Sequence, residues 1–195
     1  MKPTQKRVIL ASMSPRRTEL LTKAGIHHEV IPSTVVEGVN GVEAPADYVG
    51  RLAREKAMDV ARLHRDAVVI GSDTVVVLDG KILEKPADRE EASQMLRRLS
   101  GATHDVLTGV SIIGPERQDL FVTTTRVTFI DIPEAWLDGY LDSAEPYDKA
   151  GAYGIQGSGG LFVERLEGDY YNVVGLPLMP LVRTLEGHGV TPRFL

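Results

Sequence analysis

The sequence contains no cysteine, which excludes disulfides, cysteine-ligated zinc and thiol catalysis. It has no apolar run approaching the roughly 20 residues that cross a bilayer. Its start, M-K-P-T-Q-K-R, lacks the apolar core of a signal peptide. The expectation is a soluble, cytoplasmic protein without membrane contact. A basic excess is also missing. The chain has 22 Lys and Arg against 27 Asp and Glu, a net charge of −5, so a nucleic-acid polymer is not the expected partner. A small anion stays open, because a few local cations suffice for it. The five histidines, His27, His28, His64, His104 and His188, show no metal spacing such as H-E-x-x-H and read as surface or structural. Internal repeats and low-complexity linkers are absent too. What is present is ordinary for a globular protein, 43% hydrophobic and 25% charged over 195 residues. A single domain over residues 1–195, or two closely joined lobes, is expected, with an ordered core at about residues 8–187.

The stretch from Val8 to Leu21, V-I-L-A-S-M-S-P-R-R-T-E-L-L, organises the rest. Val8–Ala11 reads as a short buried strand and Ser12–Ser14 as a tight turn. Pro15 suits the first helical position, where its missing N–H has no partner to lose. Ser14 is the expected N-cap, without a full capping box because Arg17 stands three residues on. Free N–H groups, two hydroxyls and two guanidinium groups at a helix start favour an anion such as a phosphate chain. An ordinary strand–turn–helix with two solvated arginines fits this stretch equally well.

Further on, Gly25 is a helix C-cap signal, and His28–Ile31 a second strand closed by Pro32. Glu37 precedes a Gly/Asn-rich loop, Gly38–Gly41, that reads as mobile. Asp47 is the expected cap of a long helix through Tyr48–Leu63 that carries Lys56. Ala67–Ile70 is a covered strand that breaks at Gly71-Ser72-Asp73-Thr74 and resumes at Val75–Leu78. Asp79-Gly80 signals a two-residue hairpin into Lys81–Leu83. Asp88 and Glu91 form a capping-box pattern for a helix to Leu99. Strands are expected at Asp105–Ile113 and Leu120–Ile130, and a helix from Pro133 to Leu141. Tyr147–Gly160 carries five glycines from Gly151 onward, too many for a helix or regular strand. Leu161–Leu166 and Tyr170–Val174 read as a hairpin about Gly168-Asp169. A last helix ends near Gly187, and the tail beyond Gly189 is read either as disordered or as packed through Phe194. Alternation in the first half with antiparallel pairs in the middle indicates a mixed α/β sheet.

Asp73 interrupts an apolar run, so it is expected at a strand break facing a cleft, where a carboxylate needs a donor, a cation or a metal. Lys85 follows the Asp79-Gly80 hairpin, and either shares that cleft with Asp73 or forms an ion pair at the sheet edge. The Gly151–Gly160 segment lets backbone approach a ligand and supplies N–H donors. It matches neither the P-loop nor the Rossmann pattern. Gln156 within it offers both a donor and an acceptor to a base. Ser12 and Ser14 have no neighbouring base in sequence, which favours ligand hydrogen bonding over nucleophilic catalysis.

Taken together, the segments L-A-S-M-S-P-R-R-T-E-L-L (10–21), L-A-R-E-K-A (52–57), G-S-D-T-V-V-V (71–77), I-L-E-K-P (82–86), L-S-G-A-T-H-D-V-L-T-G-V (99–110), D-K-A-G-A-Y-G-I-Q-G (148–157) and V-V-G-L-P (173–177) resemble the Maf family of nucleoside triphosphate pyrophosphatases. The resemblance implies a mixed, twisted, elongated α/β sheet flanked by helices, with two lobes around a cleft (Maf/ITPase-like). It implies cleavage between the α and β phosphates with a divalent metal, Mg²⁺ or Mn²⁺. On the motif match Asp73 is the general base, a metal ligand or both. Glu37 is a further active-site carboxylate, also placed as a metal ligand. Lys56 and Lys85 join Ser12, Arg16 and Arg17 at the phosphates. Thr74 after the aspartate, Gln156 in the loop and Arg16 in the first motif are together similar to the dTTP/UTP subgroup. The subgroup resembling 7-methyl-GTP pyrophosphatases has Gln and Glu at the first two of those places. Two rivals stand beside this reading: a hydrolase of modified nucleotides, and a low-turnover nucleotide-binding regulator of cell division. The sequence is compatible with a homodimer without fixing the oligomeric state.

Overall fold

The computed structural model describes residues 6–38 and 43–193. Among the described residues, seven strands form one sheet in the order β2-β1-β3-β5-β6-β7, with β4 paired to β3. The strands are β1 (Val8–Leu10), β2 (Glu29–Val30), β3 (Val68–Leu78), β4 (Lys81–Leu83), β5 (Thr103–Ile113), β6 (Gln118–Phe129) and β7 (Val163–Glu167). β1 runs parallel to both β2 and β3, whereas β3–β4 and β6–β7 are antiparallel. Six α-helices accompany them among the described residues: α1 (Pro15–Lys23), α2 (Pro45–Ala61), α3 (Arg89–Leu99), α4 (Glu134–Leu141), α5 (Tyr170–Val174) and α6 (Leu178–Gly187). A mixed α/β sheet with flanking helices is what the pattern predicts. Among the described residues, no helix is long and apolar enough to cross a membrane.

The chain forms two compact units. The first comprises residues 1–73, 108–123 and 175–195, and the second residues 74–107 and 124–174. In the first unit Ile9, Ala11, Val69 and Ile113 pack against Ala57 and Val60 of α2. The helix lies close on the strand because Gly71 has no side chain. A Cβ there would stand 2.2 Å from the Ala53 carbonyl oxygen, so any larger residue forces the two elements apart. α1 begins at Pro15 as expected, but Ser14 makes no side-chain cap bond. The hydroxyl that turns the chain is that of Ser12, which accepts from the Ser14 N–H at 3.2 Å. α1 ends on Gly25 at φ +68°, with the Ile26 N–H bonded back to the Leu21 carbonyl, a Schellman-type stop. Asp47 does not cap α2. Pro45 is the first helical residue and Asp47 sits in the first turn, where its charge favours the helix dipole without a cap bond. The tail past Gly189 is packed as far as it is described. Val190 is buried and the Arg193 N–H donates to the Gly25 carbonyl, while Phe194 lies outside the described residues.

In the second unit Asp79 (φ +52°) and Gly80 (φ +73°) turn β3 back into β4, the left-handed pair of a type I′ hairpin. Asp88 caps α3 by accepting from the Glu91 N–H at 2.9 Å, and the Glu91 carboxylate reaches back to the Ala87 N–H. The predicted strand at Tyr170–Val174 is instead the short helix α5. The Asp169 carboxylate accepts from the Tyr171 and Asn172 N–H groups at 2.7 and 3.2 Å, so the local cap overrides the β propensity of the two tyrosines.

This unit's core is aromatic, with Phe129 edge-on to Tyr153 at 4.7 Å and to His104 at 4.9 Å. His104 is 2% exposed and bonds Tyr153 Oη at 2.8 Å, while its Nδ1 has no partner among the described residues. Burial pulls its pKa from 6.5 down to about 4. The unfolded chain therefore takes up a proton that the folded chain refuses. The His104 contribution is complete above about 6.5 and is lost as pH falls towards about 4, about 3 kcal/mol in all. Urea midpoints measured across that window should fall steadily for the wild type. They should fall less steeply for His104→Asn, and equal slopes would remove His104 as the cause.

Candidate active site

The turn after β1, the middle of β3 and the inner face of α2 converge in the first unit. β3 does not break at Gly71–Thr74. It runs unbroken from Val68 to Leu78, and Asp73 lies within it at 6% exposure. The break expected there does not occur because α2 supplies the partner that the carboxylate needs. Lys56, 7% exposed, donates to Asp73 Oδ1 at 2.7 Å. The same Nζ donates to Glu37 Oε1 at 2.7 Å. One ammonium thus bridges two carboxylates, one buried and one half exposed.

Glu37 arrives there because α2 holds the preceding segment in place. Asp59 accepts from the Thr34 N–H at 2.7 Å and from the Ser33 and Thr34 hydroxyls at 3.0 Å. These bonds and Arg62 hold its carboxyl far below the usual carboxylate range, with the Thr34 N–H contributing most. Arg51 donates to the Gly38 carbonyl at 3.0 Å and to Glu43 at 2.8 Å. The loop read as mobile, Gly38–Gly41, lies mostly outside the described residues, but its near end is tied down.

Arg17, on the first turn of α1, donates from Nη1 to Ser12 Oγ at 3.1 Å and from Nε to the Gly175 carbonyl at 2.9 Å. Ser72 Oγ reaches the same carbonyl at 3.4 Å. Desolvation lowers the Arg17 pKa from its ordinary value, opposed by Asp73 and Glu37 and reinforced by Arg16. It stays protonated even so. Arg16 is its partly buried neighbour on the same turn. Ser12, Arg16, Arg17, Glu37, Lys56 and Asp73 therefore belong to one charged cluster. The Gly175 carbonyl that locks Arg17 is the part that sequence reasoning missed. Its signal is the V-V-G-L-P motif, where Gly175 takes φ +124°.

The remaining predicted residues lie in the second unit. Thr74 follows Asp73 on β3 and is partly buried, Lys85 is exposed two residues beyond β4, and Gln156 is exposed in the glycine-rich loop. The register pairs Val76 with Leu83, so the returning arm carries Lys85 towards the Thr74 end of β3. The ammonium bonded to Asp73 is that of Lys56.

With this geometry in view, comparison with known proteins gives one consistent answer. The family described as "Maf-like protein" matches residues 7–188. The chain belongs to that family. Relatives in it include a dTTP/UTP pyrophosphatase of Exiguobacterium sibiricum, 52% identical over 98% of this chain and 97% of that one. A dTTP/UTP pyrophosphatase of Bacillus pumilus is 50% identical over 95% of this chain and 98% of its own length. A third, from Bacillus cytotoxicus, is 49% identical over 93% of this chain and 95% of that one.

Proposed function

We propose that this Maf-like protein is a nucleoside triphosphate pyrophosphatase acting on dTTP and UTP. Water attacks the α-phosphorus, the bond from that phosphorus to the α–β bridging oxygen breaks, and monophosphate and pyrophosphate leave. The observation that carries this reading is the Lys56 bridge, a buried carboxylate and a half-exposed one held on a single ammonium beside a desolvated arginine. Phosphoryl chemistry asks the protein mainly for positioning and for charge that opposes the phosphates.

In this reading Lys56 fixes Asp73 through Oδ1, leaving the second carboxylate oxygen to orient the attacking water and accept its proton. Arg17 is held rigid by Ser12 and Gly175, so it meets the phosphate chain, together with Arg16, without further ordering. Lys85, Thr74 and Gln156 enter on the motif match alone, the first at the leaving group and the other two at the base. A neutral Gln amide pairs with a pyrimidine imide edge, which supports dTTP and UTP over a cationic methylated guanine.

A divalent cation fits the residues present. Asp73 and Glu37 offer hard oxygen donors, held side by side on Lys56. Among the described residues no group of three His, Asp or Glu forms an all-protein cage. Two carboxylates plus substrate phosphates is the donor set that Mg²⁺ ordinarily uses. When bound there, Mg²⁺ or Mn²⁺ would be held by Asp73 and Glu37 and would neutralise charge on the phosphates.

The test is pyrophosphate release from dTTP, UTP, CTP, GTP, ATP and 7-methyl-GTP with Mg²⁺ or Mn²⁺. Turnover led by dTTP and UTP is expected. A lead by 7-methyl-GTP or a modified nucleotide would overturn the substrate assignment, and tight binding without pyrophosphate release would overturn the enzyme.

A further inference from the structure

The glycine-rich loop reads in sequence as a source of N–H donors for a ligand, and the structure removes most of those donors. The Ser158 and Gly159 N–H groups donate to the Glu145 carboxylate at 2.9 and 3.1 Å. Gly154 N–H donates to Tyr140 Oη at 3.3 Å. The Gly157 and Gly160 N–H groups bond back within the loop, to the Gly154 and Gly157 carbonyls. Tyr140 Oη in turn donates to Glu145 Oε1 at 3.1 Å. Burial and the Glu145 charge push its phenol up, which keeps it a donor. Glu145 thus occupies a nest of backbone N–H groups of the kind that elsewhere binds an anion. The glycines are the space this needs. A Cβ on Gly157 would lie 2.4 Å from both Glu145 carboxylate oxygens, and one on Gly159 would lie 2.8 Å from Tyr140 Oη. With these donors occupied, the exposed side chain of Gln156 is what the loop presents.

We propose that Glu145 and Tyr140 are positioning residues for base recognition, collaring the Gly154–Gly160 loop so that Gln156 meets the base in one orientation. This rests on the reading of the chain as a dTTP/UTP pyrophosphatase. A glutamine amide is symmetric in shape but not in chemistry. In one orientation it pairs with the N3–H and carbonyl of uracil, and turned over it pairs with the N3 and amino group of cytosine. Discrimination between UTP and CTP therefore requires the loop to be stiff. Two charge-assisted bonds to backbone and one phenol supply that stiffness.

Glu145→Gln tests this in the full-length protein. The new amide keeps one acceptor and turns an NH₂ towards an N–H it cannot accept. Amide exchange of residues 154–160, read by NMR without substrate, should quicken about tenfold. The kcat/KM ratio of UTP over CTP should fall by about tenfold through KM, with kcat within about twofold. Tyr140→Phe should move both readouts the same way and less far, which guards against a variant that misfolds. Unchanged exchange overturns the proposal. So does faster exchange with an unchanged UTP/CTP ratio, which would leave Glu145 purely structural. Wild-type protein that releases no pyrophosphate from UTP would overturn the parent reading and this one together, before any variant is compared.

Discussion

Replacing Asp73 by asparagine should abolish pyrophosphate release while leaving nucleotide binding intact. Asparagine matches aspartate in shape and keeps an oxygen for Lys56, so β3 and α2 stay together. The ammonium also retains Glu37 as a counter-charge. What disappears is the acceptor for the water's proton, and loss of a general base lowers kcat on the order of 10³-fold. Binding of dTTP without divalent metal, followed by calorimetry, should be unchanged or tighter, because on the proposed reading a negative charge has been taken from beside the phosphates. A variant keeping a tenth of wild-type kcat would show that Asp73 is not the base.

The second large effect is on stability. Lys56→Met leaves the buried Asp73 facing the space its cation filled. Removing one partner of a buried pair costs about 3–5 kcal/mol, because the other charge stays desolvated. In a chain of this length that lowers Tm on the order of 10 °C. Glu37→Gln is the contrast. That carboxylate is half exposed, and its loss should cost less than about 1 kcal/mol. Scanning calorimetry of both variants at neutral pH checks the pair. Equal costs for the two substitutions would contradict the burial argument.

What was legible in the sequence was local. Pro15, the Asp79-Gly80 turn and the Asp88/Glu91 cap each act within four residues, and each is where the pattern puts it. Interactions across the chain were not. Seventeen residues separate Lys56 from Asp73 with no spacing rule to join them, so a polar tetrad in an apolar strand looked like an interruption. It is instead the point where helix and strand meet most closely, at Gly71, and where the helix neutralises the charge next door. Asp169 misled in the opposite direction, since Gly-Asp before two tyrosines reads as a hairpin until its carboxylate is seen on the next N–H groups. The Glu145 collar spans 13 and 14 residues to backbone atoms, and no side-chain pattern announces a backbone partner. The family motifs named the members of the charged cluster where spacing alone could not.

Arg17 takes its place from a carbonyl 158 residues further on. During synthesis α1 and its arginines emerge early, yet the group that fixes them emerges only after both segments of the second unit have been made. This arginine is thus among the last parts of the molecule to be set. A nascent or shortened chain ending before Gly175 would carry every charged residue of the cluster and still lack the contact that makes Arg17 rigid.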